Sequence, residues 1–331
     1  LPSPMTADVA PVIKEIQGGI ATLLRQSERV VDIGIHYSQA SIRGAFLAQS
    51  SILFSENRDG WVKAFEDNGL QCEFLATPQL EAGELAKRNY GAFILPYSVC
   101  LSAKETAAIR AYVEAGGLVV ADAKTGLMDE RCRILDAPRL QDLLGIARRA
   151  PDHKCASLPG DIRFTANAEA GDLAGTAIDL GVAEPSLTSQ GGTALATIGN
   201  TPAMVAKRTG RGRTLFLNTF LDSYIQRRKL KLEKPVTDLL RSLLQVQRST
   251  PAVCRAAAGD GHARLFTVGF RNGRSRYVGT IARVVDKKVQ EGTRIEATFP
   301  AASHVYDVRK QAYLGHTKTA RCTLLPGDAL L

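Results

Sequence analysis

The sequence predicts an α/β protein: a doubly wound, mostly parallel sheet followed by a small antiparallel β-sandwich. Three observations carry that prediction. Helical and strand-like periods alternate from about residue 30 to 146, which is the pattern of βα units in a parallel sheet. The strand candidates there, such as "LVVA" from Leu118 to Ala121, are almost free of polar residues, as strands covered on both faces are. After Thr250 the pattern becomes short strands at close spacing, with a strong hairpin signal at Asn272-Gly273.

Each element follows from local chemistry. Thr6 can cap a helix over 6 to 25, with Val9, Ile13, Ile16 and Ile20 at near-helical spacing. "VVDIGIHYS" is a buried-strand pattern. "DGWVKAFEDNGLQCEFL" reads as helix, Gly69 stop and strand, and the plan repeats up to a strand at Ala92 to Leu95. Ser102 and Glu105 have capping-box spacing, with Ile109, Tyr112 and Val113 as the buried stripe and Gly116-Gly117 as the exit. After Pro151 the helical period fades, and "GTALATIG" and "PAMVAKRTGRGRTLFLN" read as three strands extending the same sheet. An amphipathic helix over 233 to 247 closes the domain.

Composition limits the function classes. The chain has 331 residues and is 45% hydrophobic, which excludes a disordered chain and leaves room for two domains. No apolar run is long enough to span a bilayer, so no membrane partner is expected. Six cysteines lie scattered without a CxxC pair, and His153-Lys154-Cys155 has no second half at zinc spacing. No metal and no cofactor are expected, and a reducing, cytoplasmic setting is favoured. The chain starts at Leu1 without a signal-peptide design and ends in what looks like a strand start. A preceding segment and a truncated sandwich are therefore expected.

Chemistry candidates cluster at strand ends, where α/β enzymes hold catalytic groups. Asp122 ends an apolar strand in "DAKTG", but the spacing fits neither aspartyl-phosphate transfer nor a dehalogenase pair. It reads as a strand terminator bonded to its own turn. Cys100 precedes a helix start, where the dipole could lower a thiol pKa, yet no His lies near it in sequence. Asp129 and Glu130 are adjacent, which is poor spacing for a glycosidase pair. The net charge is +9, and the segment 207 to 234 concentrates nine Lys and Arg residues against Asp222 and Glu233. That could hold a polyanion, but it lacks interleaved stacking aromatics, so nucleic acid is not the expected partner.

The stretch "FILPYSVCLSAKETAAIRAYVEAGGLVVADAKTGLMDERCR", with "APRLQDLLGI" after it, resembles the trimerisation domain of glycoside hydrolase family 42 β-galactosidases. "VYDVRKQAYLGHT" resembles the β-sandwich that ends such enzymes. The resemblance implies a flavodoxin/amidotransferase-like sheet without the amidotransferase nucleophile, and catalysis on an upstream (β/α) barrel. That barrel needs about 250 residues of its own, so no catalytic residue is carried over to this chain. The implied division is 1–26 as a helix leaving the barrel, 27–248 as the trimerisation domain and 249–331 as the sandwich. The expected partners are further copies of the chain, a trimer in the family's pattern, and the barrel.

Three functions follow as expectations. The first is a non-catalytic oligomerisation and structural portion of a β-galactosidase-like glycoside hydrolase. Its candidate interface is Asp122, Lys124, Thr125, Asp129, Glu130 and Arg131. The second is an autonomous small-molecule enzyme of amidotransferase-like fold using Cys100 or Asp122. The third is a polyanion-binding module through 207–234.

Overall fold

The computed structural model describes residues 4–48, 54–148, 157–166, 168–245, 252–256, 263–284, 292–325 and 329–331. The chain divides into two compact units. The larger is Asp32–Asn68 with Cys72–Gln247; the smaller joins Leu1–Val31, Gly69–Gln71 and Arg248–Leu331.

The larger unit is built on one nine-stranded sheet. Its strands are β1 (Ile33–Tyr37), β2 (Cys72–Ala76), β3 (Ala92–Leu95) and β4 (Leu118–Asp122), then β5 (Asp161–Phe164) and β6 (Ala177–Asp179). β7 (Thr193–Ile198), β8 (Thr201–Thr209) and β9 (Gly212–Leu217) complete it. The spatial order is β2-β1-β3-β4-β9-β8-β7-β5-β6. The first five neighbours pair in parallel and the remainder antiparallel. The sheet is thus mixed, where the sequence predicted a mostly parallel one. The reason lies in the turns. Ile198 pairs with Thr201, and Thr209 with Gly212. A two-residue link between neighbouring strands permits only an antiparallel pair.

Four helices position the strand ends: α1 (Gln39–Leu47), α2 (Phe54–Asp67), α3 (Ala103–Glu114) and α4 (Lys234–Leu244). In α3 the predicted capping box forms. Ser102 Oγ accepts from the Glu105 N–H at 3.1 Å, and Glu105 Oε2 accepts from the Ser102 N–H at 2.7 Å. Ile109 and Val113 are buried, while Tyr112 stays half-buried and donates to the Tyr90 carbonyl. In α4 every residue of the apolar face, Val236 to Leu244, is buried as its spacing predicts.

The packing of α2 is tighter than its sequence announces. Its buried face contains Asn57, Gly60, Trp61, Ala64 and Phe65, one stripe at helical spacing. A Cβ on Gly60 would lie 1.9 Å from the Leu221 carbonyl oxygen. The helix therefore approaches the segment after β9 backbone to backbone, and only glycine admits that approach. Gly212 serves the same purpose for α3, since a Cβ there would lie 2.1 Å from the Val113 oxygen.

The smaller unit is antiparallel. β10 (Val253–Ala256), β13 (Thr293–Asp307) and β14 (Ala312–Leu324) form a three-stranded sheet in the order β10-β13-β14. β11 (Ala263–Asn272) and β12 (Ser275–Val284) form the predicted hairpin, flanked by Glu28–Arg29 and Ala329–Leu330. Ile295 and Leu324 are the buried centre, with Cys254, Leu265, Cys322 and Leu330 packed against them. The N-terminal helix runs Pro4–Glu15 and Ala21–Arg25 around a π-turn in which Gly19 has φ 133°. Among the described residues no helix is long and apolar enough to cross a membrane.

Gly60→Ala is expected to destabilise the larger unit by about 1–3 kcal/mol, because backbone on both sides of the contact must move. Urea denaturation of the variant and the parent checks it; equal midpoints would show that α2 does not depend on this approach.

Candidate functional site

The C-terminal ends of β1, β3 and β4 are where an open α/β sheet offers a site. The chain runs from β1 to β2 on one side and returns to β3 on the other. Three buried polar groupings occupy this edge.

Asp122 is the first and is fully buried. Its Oδ2 accepts from Asn57 Nδ2 at 2.6 Å and from Trp61 Nε1 at 3.0 Å; its Oδ1 accepts from the Tyr97 N–H at 2.6 Å. Its main-chain oxygen accepts from Thr125 Oγ1 at 2.8 Å. The carboxylate thus ties α2 and the segment after β3 to the end of β4, whereas the sequence suggested a bond only within its own turn. Asn57 continues the chain of bonds, its Oδ1 accepting from the Leu221 N–H at 2.7 Å. Burial pushes the carboxyl up to about 7, against the lowering effect of these donors. Tyr97 pays for its place with φ 45°, in the region that costs a non-glycine residue energy.

His36, Ser98 and Glu105 are the second grouping. His36 Nδ1 bonds Ser98 Oγ at 2.9 Å and its Nε2 bonds Glu105 Oε1 at 2.9 Å. Glu105 serves two neighbours at once, the imidazole and the N-terminus of α3. Burial raises its pKa, but the bond and charge of His36 with the Ser102 N–H outweigh that and hold it low. The row resembles a Ser-His-acid relay in order only. Ser98 is 1% exposed, so no substrate atom can approach its hydroxyl.

Glu184 is the third. Arg148 holds it bidentately, at 2.7 and 3.1 Å, and both side chains are buried. The Lys124 N–H donates to Glu184 Oε1 at 2.9 Å, with Lys124 at φ 67°. Burial pushes the Glu184 carboxyl up, and the charges of Arg148 and Lys124 overcome this and hold it low. Asn218 brackets its backbone from both sides.

The candidates named from sequence divide by exposure. Asp122, Lys124, Thr125 and Asp129 are buried within the larger unit itself, and Glu130 and Arg131 are exposed. Asp129 organises its own turn: Oδ1 accepts from the N–H groups of Arg131 and Arg133, and Oδ2 from Arg133 Nε. Cys100 is buried, and burial, then the neighbouring Cys132, push its thiol up, so the helix start does not activate it. Much of the basic segment is engaged internally. Arg228 bonds Asp67, Arg227 meets Asp179 and Lys234 meets Asp238. Lys207 and Arg213 donate to the carbonyls of Asp142 and Leu243. Among the described residues no three His, Cys, Asp or Glu side chains gather to hold a metal.

Sequence reasoning missed His36, Ser98, Arg148 and Glu184. A lone histidine inside "IGIHY" was a usable signal, since a polar residue in a fully covered strand requires a partner. Nothing local marks Glu184, whose partners lie 36 and 60 residues away in sequence.

Comparison with known proteins gives a family. Residues 49–245 match the family described as "Beta-galactosidase trimerisation domain". No curated protein sequence matches. Among solved structures, the β-galactosidase from Bacillus circulans sp. alkalophilus aligns with TM-score 0.69 at 15% identity, covering 96% of this chain and 43% of that one. The cold-adapted β-galactosidase from a Rahnella species aligns at 0.64 and 14% identity, covering 95% and 43%. An α-L-fucosidase from Paenibacillus thiaminolyticus aligns at 0.57 and 14%, covering 96% and 50%. At such identities the likeness is one of fold. The chain spans less than half the length of the β-galactosidases it matches.

Two substitutions probe the edge. A carboxyl raised in the fold from 3.8 to about 7 makes stability fall as pH rises through that window, because the folded state holds the proton longer. Asp122→Asn is expected to remove that slope while losing about 1–3 kcal/mol through mismatched donors. Denaturant midpoints from pH 4 to 7.5 read both effects, and parallel pH profiles would count against a titrating Asp122. Glu105→Ala strips His36 and the α3 N-terminus together and is expected to cost about 3–5 kcal/mol, with Glu105→Gln costing less. Thermal unfolding of the two variants gives the ranking.

Proposed function

The chain belongs to the family of β-galactosidase trimerisation domains, and on that premise we propose that it is a non-catalytic oligomerisation and structural portion of a β-galactosidase-like glycoside hydrolase. The observation that carries this reading is the closed strand edge. Where an α/β enzyme keeps accessible acids and nucleophiles, Asp122, His36, Ser98, Glu105 and Glu184 are buried and bonded to the protein's own groups. The five parallel neighbours β2-β1-β3-β4-β9 favour an amidotransferase-like origin for the sheet. Its nucleophile place is taken by Asp122, Ala123 and the left-handed Lys124.

In this reading 27–248 is the self-associating domain, 249–331 a supporting sandwich, and 1–26 the link to an upstream (β/α) barrel that performs the hydrolysis. The partners are further copies of the chain, in a trimer. Within the 122–131 loop, Asp122, Lys124, Thr125 and Asp129 set the loop's shape from inside. Glu130 and Arg131 are the side chains that reach the neighbouring copy.

Sedimentation at rising concentration is expected to show an assembly larger than monomer, and a strict monomer would sink the proposal. Glu130→Lys with Arg131→Glu is expected to weaken assembly about tenfold or more without shifting the melting temperature, since both side chains are exposed. Glycosidase assays on the chain alone are expected to show no turnover.

A further inference from the structure

Four aromatic rings lie together on the outer face of the β13–β14 hairpin. Tyr306 and Tyr313 are 59% and 53% exposed, and His304 and His316 are exposed beside them. The rings form a continuous row. Tyr306 and Tyr313 have centroids 4.9 Å apart, Tyr313 and His304 5.9 Å, and His304 and His316 4.8 Å. The backbone explains how four rings share one face. Val305 pairs with Gly315 but the next residue, Tyr306, pairs with Tyr313. Leu314 is the extra residue of a bulge, so Tyr313 and His316, three apart, point the same way. Gly315, at φ 108°, supplies the conformation the bulge requires. A hydrogen bond of 2.8 Å between His304 Nδ1 and Tyr313 Oη fixes two of the rings against each other.

A cleft of about 920 Å³ adjoins this row, and Tyr306, His304, Tyr277, Arg274 and Arg276 line part of it. Its volume is in the range of small-molecule sites. Arg274 and Arg276 are exposed and make no ion pair among the described residues. Among the described lining residues the one acid, Asp307, is buried and accepts from the Lys310 N–H at 3.0 Å, with the Lys310 ammonium 3.4 Å away. The open charge of the described lining is therefore positive.

We propose that this face binds an acidic oligosaccharide. A pyranose presents an apolar C–H face, which an exposed ring can cover, and a rim of hydroxyls that phenol and imidazole can bond. Carboxylate or sulfate groups on the sugar would meet the forked donors of Arg274 and Arg276. A row of rings held in place by its own hydrogen bond loses little freedom on binding. The choice of a saccharide over a nucleic acid strand rests on the reading of the chain as part of a glycoside hydrolase.

The test is calorimetric titration of the full 331-residue chain with oligogalacturonate and with sulfated galactan oligosaccharides. A neutral galacto-oligosaccharide and a deoxythymidine oligomer serve as comparators. The acidic sugars are expected to bind more tightly than both comparators. Tyr306→Ala with Tyr313→Ala is expected to weaken binding about tenfold or more, and Tyr306→Phe to restore most of the Tyr306 share. Arg274→Ala with Arg276→Ala is expected to weaken binding and flatten its salt dependence. All these side chains are exposed, so the variants should melt as the parent does. Absence of binding by either acidic sugar, or unchanged affinity in the tyrosine variant, overturns the proposal. Equal or tighter binding of the neutral sugar or of the thymidine oligomer also overturns it. Assembly is read separately by sedimentation, so a failure here leaves the oligomerisation reading standing.

Discussion

One buried carboxylate holds the larger unit's architecture together. Asp122 ends β4, the parallel strand next to β9, where the pairing turns from parallel to antiparallel. Its oxygens accept from α2 and from the segment after β3, and its main-chain oxygen accepts from the following turn. Through Asn57 the same bonds extend to the segment after β9. A buried anion is costly unless its lone pairs are met. Here each oxygen is met, so the cost becomes a demand that all these pieces take one position relative to β4.

That demand also shapes what the strand edge can do. Groups of shifted pKa gathered at strand ends commonly mark a reaction centre. In this protein the groups so placed are buried and bonded to one another. His36 spends both ring nitrogens on Ser98 and Glu105. Glu184 spends its oxygens on Arg148 and the Lys124 amide. Polar groups with that degree of satisfaction bring rigidity, which suits the oligomerisation role proposed above.

How legible this was in the sequence depended on distance along the chain. Local signals read truly: the Ser102–Glu105 box and the apolar face of α4 appear where their spacing put them, and the hairpin at Asn272-Gly273 forms with its turn one residue on, at Gly273-Arg274. The family resemblance, carried by the stretch from Phe93 to Ile146, was legible too. The three strands from Thr193 to Leu217 are legible as an extension of the sheet, but its balance is not, because the two-residue turns after β7 and β8 make these pairings antiparallel. The strand edge was read least well. Asp122 was noticed, but its donors sit 25, 61 and 65 residues away. Its meaning is set by a register that no local pattern encodes. The strained Tyr97 and Lys124 have no sequence signature, since neither is a residue type that favours positive φ.

The seam between β4 and β9 has a consequence for how the chain reaches its fold. The antiparallel strands from Thr193 to Leu217 meet through hairpins, so their contacts are near in sequence and cheap to close. The seam sets Leu118 beside Arg213 and Asp122 beside Leu217, across nearly a hundred residues. Contacts at that separation repay loop closure only after both halves have formed. The meander closes over short loops, whereas the seam closes over nearly a hundred residues, the kind of separation that slows pairing. Before the seam forms, β4 and β9 each carry an unpaired edge along it, and unpaired edges are where a folding chain is open to unintended pairing.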